Sequence, residues 1–282
     1  MFGPTEFAIT AMCFFGICDF IYKRSARAGF KPLHFITGQT LVFWLLILTY
    51  AWLSHRLVLT PAVMWNGVAG LFMFIAFFHF FKSLETGSVS INAPIFRLSF
   101  MITAALAILF LHESLSFSKL AAAAFAFAAI WLLLGSGTVK ISTKVLERRS
   151  LVNVTIATVA LGATNFFHKL GVSAGALPET GILASATVFC SFAILIAVLN
   201  DRNLPLDVWK LSAPAGVALA CALLFLLHAL TSGPASVLVP ISQMGFIVPA
   251  VLGVACLGET LTFRKVGGLT AAVIALGLFA IS

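Results

Sequence analysis

Charged residues are scarce in this sequence. Asp, Glu, Lys and Arg make up 9% of its 282 residues, whereas a soluble domain carries roughly 25%. Hydrophobic residues make up 61%, and apolar runs of about 20 residues follow one another with short breaks, which is the pattern of transmembrane helices. The net charge of +8 therefore indicates basic loops against an anionic lipid surface and not a nucleic-acid partner.

Catalytic and metal-binding motifs are also missing. The sequence has no GxSxG, HExxH or Walker loop, and its five cysteines form no CxxC pair. All five cysteines lie inside apolar runs, where cysteine ordinarily acts as a small packing residue. No basic segment precedes the first apolar run, so we do not expect a cleaved signal peptide. The sequence thus predicts a protein that is not an enzyme and uses no cofactor or metal.

What the sequence does contain is an internal repeat. Residues 87–119 recur at 233–265, an offset of 146 positions, without a gap. The identical positions in the first copy are Gly87, Ser90, Pro94, Ile95, Phe100, Ala104, Leu106, Leu111, Glu113, Leu115, Phe117 and Lys119. The same offset aligns Gly16 with Gly162, Phe20 with Phe166, Lys23 with Lys169 and Gly70 with Gly216. One half of the chain is therefore a copy of the other.

Ten apolar spans predict the architecture. They cover residues 5–21, 33–53, 62–82, 88–111, 117–135, 151–168, 179–199, 212–231, 234–257 and 263–281. We divide the chain into a first five-helix repeat (1–136), a polar cytoplasmic linker (137–150) and a second five-helix repeat (151–282). Because five is an odd number, the second repeat should enter the membrane upside down. The predicted fold is an all-α integral membrane protein of ten transmembrane helices, arranged as two inverted five-helix repeats.

The distribution of Lys and Arg predicts the orientation. The linker and the loops on its side carry thirteen of them: Lys23, Arg24, Arg27, Lys31, Lys82, Lys140, Lys144, Arg148, Arg149, Arg202, Lys210, Arg264 and Lys265. The opposite loops carry only Arg56, Lys119 and Lys169. Since Lys and Arg are enriched in cytoplasmic loops, we expect the linker in the cytoplasm and both termini outside.

Two motifs resemble a known family. The ends of the halves, LHESLSFSKLAA and LGETLTFRKVGG, share the pattern LxE(S/T)LxFxK, and the half-openings run from Gly16 to Gly29 and from Gly162 to Gly175. In both halves these features resemble EamA-type transporters of the drug/metabolite transporter superfamily. The resemblance implies a multi-pass carrier in a bacterial inner membrane that exports small metabolites or amino acids. Such carriers are commonly drawn with both termini in the cytoplasm, the reverse of our charge count.

Polar residues inside the spans are the candidate site. Arg97 lies ten residues after Gly87, about 15 Å along the span at 1.5 Å per residue and so near the membrane midplane. It either binds a carboxylate or phosphate of the substrate or forms a structural ion pair with Asp19. Asp19 either couples transport to protons or only neutralises neighbouring cations. The aligned positions of the second half hold neutral residues, Gln243 and Asn165.

Prolines and one asparagine complete the site. Proline lacks an N–H group, so Pro94, Pro240 and Pro249 should kink the fourth and ninth helices beside the pathway. Asn92 should face the same cavity. The predicted substrate-binding residues are thus Arg97, Gln243, Asn92 and Asn165. In the short turns, Glu113 and Glu259 should accept hydrogen bonds from helix N-termini.

The function predicted from these features is secondary transport. A small polar metabolite or amino acid, anionic or zwitterionic, would be exported by alternating access. The expected partners are this small-molecule substrate and membrane lipid, with a monomer or homodimer left open. The alternatives are uptake of a small solute, a non-transporting accessory or lipid-flipping subunit, or an integral membrane enzyme. A wet pocket reaching Arg97 favours a carrier, whereas an Arg97 sealed by Asp19 favours the accessory subunit.

Overall fold

The structure is a computed structural model that describes residues 3–86, 92, 95–134, 144–200, 205–248 and 262–281. These residues form ten α-helices and no β-strand. The helices are α1 (Pro4–Arg27), α2 (Pro32–Leu53), α3 (Val63–Thr86), α4 (Ser99–Leu111), α5 (Phe117–Leu134), α6 (Lys144–Ser173), α7 (Pro178–Asn200), α8 (Trp209–Ser232), α9 (Ala235–Gln243) and α10 (Phe263–Ala280). Two short 3-10 turns, Leu206–Val208 and Met244–Phe246, precede α8 and follow α9.

Six of these helices are long and apolar enough to cross a membrane, namely α1, α2, α3, α6, α7 and α8. The segments Ile95–Leu111, Phe117–Leu132 and Val266–Phe279 are apolar but shorter. Helix α6 begins at Lys144, inside the predicted linker, so residues 144–150 extend the sixth helix instead of joining the halves as a loop. Arg148 and Arg149 are exposed there, and arginine is a good helix former in solvent.

Helix packing is symmetric under exchange of the two halves. Helix α1 packs along α8 as α6 packs along α3, α2 contacts α8 as α7 contacts α3, and α4 contacts α6 as α9 contacts α1. The pairs α2/α7, α4/α9 and α5/α10 are helices in contact with their own counterparts. A two-fold rotation produces this combination of reciprocal and self-paired contacts. The halves are therefore interdigitated about a common axis.

Aligned glycines lie at two equivalent helix crossings. A Cβ atom at Gly70 would lie 2.3 Å from the carbonyl oxygen of Ser185, and one at Gly216 would lie 2.6 Å from that of Gln39. Ser185 and Gln39 are themselves separated by the repeat offset. Since only glycine permits backbones to approach this closely, the repeat in the sequence records a repeated crossing in the fold.

The core is built from residues of both halves, and many large apolar side chains lie exposed on the surface. Phe43 and Phe189, which the repeat aligns, are both buried in one cluster. Large apolar side chains such as Leu109, Trp131 and Leu199 are more than half exposed. An apolar surface of this kind suits hydrocarbon surroundings and not water.

Candidate functional site

The helical path is interrupted at the same place in both halves. In the first half, residues 95–97 are helical, Leu98 forms a turn and α4 begins at Ser99. The Leu98 N–H group donates to the carbonyl of Ile95 at 3.0 Å, a 3-10 hydrogen bond that departs from the α-helical pattern. In the second half, α9 ends at Gln243 and gives way to the 3-10 turn Met244–Phe246. Each interruption directly follows a candidate site residue, Arg97 or Gln243.

Proline contributes to this interruption, but the interruption does not begin at the proline itself. Pro240 lies inside α9, three positions before its last residue, and its missing N–H removes one hydrogen bond from the helix. Helix α9 continues past Pro240 and ends at Gln243. Pro94 and Pro249, the other two predicted kinks, lie outside the described residues.

Arg97 joins the two halves at the centre of the fold. Its Nη1 donates to Oε1 of Gln243 at 3.1 Å, and its Nη2 forms an ion pair with Oδ2 of Asp19. Because Arg97 and Gln243 are equivalent positions of the repeat, a direct contact between them lies on the pseudo-two-fold axis. The structure thus brings together three of the predicted site residues.

The ion pair retains some access to space around it. The side chains of Arg97 and Asp19 keep 11% and 20% of their exposure. A guanidinium group has five N–H donors, and the contacts above engage two of its nitrogens. Arg97 therefore retains capacity to bind a carboxylate or phosphate oxygen while its charge is balanced by Asp19.

Asn165 supplies a polar atom that has no partner. It is buried, with 2% exposure, and its Nδ2 atom makes no hydrogen bond. Gly162, one turn earlier on α6, packs against α4, since a Cβ atom there would lie 3.0 Å from the carbonyl oxygen of Ser99. The hydroxyl of Ser99 is also buried without a partner. Buried polar atoms left unpaired are costly, so this α4/α6 contact is a suitable place for a ligand or water.

Asn92 lies in a different group. Its Nδ2 lies 2.9 Å from the carbonyl oxygen of Ser83, 3.1 Å from the Ser83 hydroxyl and 2.8 Å from the Ser150 hydroxyl. The residue is 1% exposed. It therefore ties α3 and α6 to the segment before α4, and its amide donors are engaged by the protein and not directed at Arg97.

Two residues beside the cluster were not predicted from the sequence. The Nε2 of Gln39 donates to the hydroxyl of Tyr22 at 2.6 Å. Tyr22 follows Asp19 by one turn of α1, so both side chains lie on the same face of that helix. Its ring meets those of Phe35 and Phe81 edge-on, with centroids 5.6 and 6.0 Å apart. A glutamine inside an apolar span was the available signal, because an amide in hydrocarbon requires a partner.

Glu113 accepts hydrogen bonds from a helix N-terminus, as predicted, but this N-terminus is not beside its own short turn. Its two carboxylate oxygens accept hydrogen bonds from the N–H groups of Ala235 at 2.8 Å and Ser236 at 2.9 Å. These groups are at the N-terminus of α9, in the other half of the molecule. Glu259, its counterpart, lies outside the described residues.

Comparison with known proteins agrees with this architecture. Residues 6–135 match the EamA-like transporter family. A solved structure, titled "Crystal structure of protein", superposes with a TM-score of 0.83 at 14% identity and covers 99% of this chain and 96% of its own. At that identity the likeness shows the fold alone. The comparison with curated proteins gives no match.

Proposed function

Because residues 6–135 belong to the EamA-like transporter family, we propose that this chain is a secondary transporter that moves a small polar solute by alternating access. The proposal extends to export of a metabolite or amino acid from a bacterial cell across its inner membrane. It further holds that the second half is inverted relative to the first.

The contact between Arg97 and Gln243 carries this proposal. It joins equivalent positions of the two halves, next to interruptions that occur in both. In carriers built from inverted repeats the substrate site lies between the repeats, where helices are discontinuous. Rocking of one half against the other would open the space around this pair first to one side and then to the other.

The chemistry of the cluster favours an anionic or zwitterionic solute. A substrate carboxylate would replace Asp19 at the guanidinium of Arg97, while Gln243 and the unpartnered Nδ2 of Asn165 would supply hydrogen bonds. Asp19, once displaced, would take up a proton or bind a substrate ammonium group. Asn92 would maintain the shape of the segment that carries Arg97.

Ligand-dependent thermal stabilisation of the purified protein in detergent tests this proposal. Amino acids, organic acids, sugars and amines are screened, and we expect a hit among the anionic or zwitterionic compounds. The stabilisation should vanish in Arg97→Gln and in the charge-balanced variant Arg97→Gln/Asp19→Asn. It should persist in Lys210→Gln, which changes an exposed lysine paired with Asp207 at the surface. A hit that survives both Arg97 variants would refute the assigned site.

The ion pair between Arg97 and Asp19 favours a second candidate, an accessory or lipid-flipping subunit whose central charges are only structural. Exchange of labelled ligand across proteoliposomes distinguishes the two. A carrier exchanges the ligand found in the screen, and an imposed gradient then shows whether it exports the solute or takes it up. A protein that binds the ligand without exchanging it is not a carrier.

A further inference from the structure

A second group of charged side chains lies around the start of α7, at the far end of α6 from Lys144. Glu179 is in the first turn of α7, and its side chain is only 1% exposed. One oxygen, Oε1, lies 3.4 Å from Nη1 of Arg56 and 3.5 Å from Nε2 of His228. The other oxygen, Oε2, is buried with no hydrogen-bond partner. A buried carboxylate so incompletely paired destabilises the folded protein. Its retention here therefore calls for an explanation.

The hydrogen bonds of His228 define where a proton would bind. Its Nδ1 lies 2.8 Å from the carbonyl oxygen of Leu224. A carbonyl can only accept, so Nδ1 must carry a hydrogen. In a neutral ring Nε2 would then present its lone pair to the carboxylate of Glu179, which is repulsive. One proton on Nε2 converts this repulsion into an ion pair.

The same carboxylate holds a contact between the halves. Arg56 belongs to the loop between α2 and α3, whose backbone is fastened to the start of α7: the Thr180 hydroxyl donates to the carbonyl of Arg56 at 2.8 Å and accepts from the N–H of Val58 at 3.2 Å. Arg56 itself is 59% exposed. Without the proton on His228, only this half-solvated guanidinium would offset the buried charge, and water would have to enter.

The other charged groups described at this end have partners of their own. Lys169 on α6 donates to the carbonyls of Leu230 and Gly233, and Glu113 caps α9. His168, which precedes Lys169 on α6, contacts the side-chain amide of Asn66 through Nδ1. Helix α1 presents the ring of Phe7 to His228, with centroids 6.0 Å apart.

The position of the group separates it from the central cluster. Phe7 and Asp19 are both on α1, twelve residues apart, which corresponds to about 18 Å along the helix. Phe7 and Phe14 pack against Phe225 between the two levels. We infer that Glu179 and His228 form a proton-binding site distinct from the Arg97 cluster, and that a bound proton holds the α2–α3 loop closed on α7.

Spin-label distances in lipid nanodiscs test the closing. Labels are placed at Leu59 in the α2–α3 loop and at Ser232 at the end of α8, both exposed, after the five native cysteines are replaced. We expect one short distance at pH 5.5 and a longer population at pH 8.5. The change with pH should be lost in His228→Gln and in Glu179→Gln and kept in Lys210→Gln. Each variant is first required to elute as a monodisperse peak.

Nitrogen NMR of histidine-labelled protein locates the proton. The resonances of His228 are identified by their absence in His228→Gln. Replacing Glu179 by Gln should change the Nε2 resonance of His228, because the carboxylate that faces this nitrogen is removed.

Three results would overturn the inference. They are an Nε2 resonance of His228 that Glu179→Gln leaves unchanged, spin-label distances that do not respond to pH in the wild type, and a change of those distances with sodium at constant pH that His228→Gln does not affect. Neither measurement uses a transported ligand, so this inference and the proposed function fail independently.

Discussion

Arg97 and Asp19 are charged residues at positions where the second half has neutral ones. Their ion pair satisfies each charge in surroundings where an unpaired charge is costly. The second half, with Gln243 and Asn165, shows that the same place in the fold accepts neutral side chains. The two charges are therefore not needed to build the helices around them, and this separates their role in function from their role in stability.

Replacing one charge should destabilise the protein more than replacing both. Arg97→Gln leaves Asp19 without its partner and should cost about 3 kcal/mol. The double variant Arg97→Gln/Asp19→Asn gives the first half the residues that the second half already has, and most of the loss should be recovered. Melting temperatures in detergent measure the effect, and a double variant less stable than the single one would contradict it.

Glu113 should stabilise the fold through α9. Glu113→Ala removes both acceptors from the N–H groups of Ala235 and Ser236, and loss of such a cap costs about 1–2 kcal/mol. Glu113→Gln keeps one acceptor and should cost less. Asp207→Asn, which alters a carboxylate in an exposed surface pair, is the matched control and should leave the melting temperature nearly unchanged. An equal loss of melting temperature in Glu113→Ala and Glu113→Gln would argue against capping.

At the scale of elements, the interruptions after Arg97 and Gln243 depend on close packing by neighbouring helices. Helix α1 approaches the 3-10 turn through Gly16, where a Cβ atom would lie 2.5 Å from the carbonyl oxygen of Gly245, and α6 approaches α4 through Gly162. These two glycines are equivalent in the repeat. The irregular backbone in each half is thus covered by protein, as non-helical backbone at membrane depth requires.

Adding a methyl group at this crossing should disturb it. In Gly162→Ala the new Cβ would lie 2.5 Å from Cβ of Ile102, and overpacking of this kind costs about 1–3 kcal/mol. Gly277→Ala on α10 is the control, since nothing lies within 4 Å of the added atom, and alanine is the better helix former. We expect a lower melting temperature for the first variant and an equal or higher one for the second. The reverse order would show that the crossing tolerates side chains.

The helices and the central cluster could be predicted from the sequence for different reasons. Long apolar runs and a gapless repeat are local patterns, so the helix order followed from them. Arg97 and Asp19 could be paired because few other charges lie within the spans. The partners of Asn92 could not be found this way, because Ser150 belongs to a helix that begins before the predicted span. The surroundings of Glu179 could not be found from the sequence either, because only the fold shows that Arg56 and His228 converge on it.

At the scale of the molecule, the symmetric packing of the halves does not determine the orientation in the membrane, which has to be tested separately. The loops on the side of the linker carry most of the Lys and Arg residues, which predicts that this side is cytoplasmic. The family resemblance favours the opposite orientation. The packing itself is the same in both cases, so only labelling from a defined side separates them.

Single cysteines at the two ends should report opposite sides. A membrane-impermeant maleimide should label a cysteine at Ser142 only from the cytoplasmic side and a cysteine at Leu59, an exposed loop position, only from outside. The remaining cysteines are replaced beforehand, and labelling after permeabilisation shows that both positions react. Reversed labelling of both sites would establish the other orientation, and labelling of Ser142 from both sides would indicate mixed insertion.

The arginine on the axis makes the two halves unequal at a point where equivalent positions of the repeat meet. A movement that exchanges the roles of the halves carries the guanidinium to the place now held by the amide of Gln243. Two identical copies would rest on either side of the membrane with equal population. In the proposed transport cycle a chain with a cation on its axis would have a preferred resting side, and Arg97 would contribute to that preference.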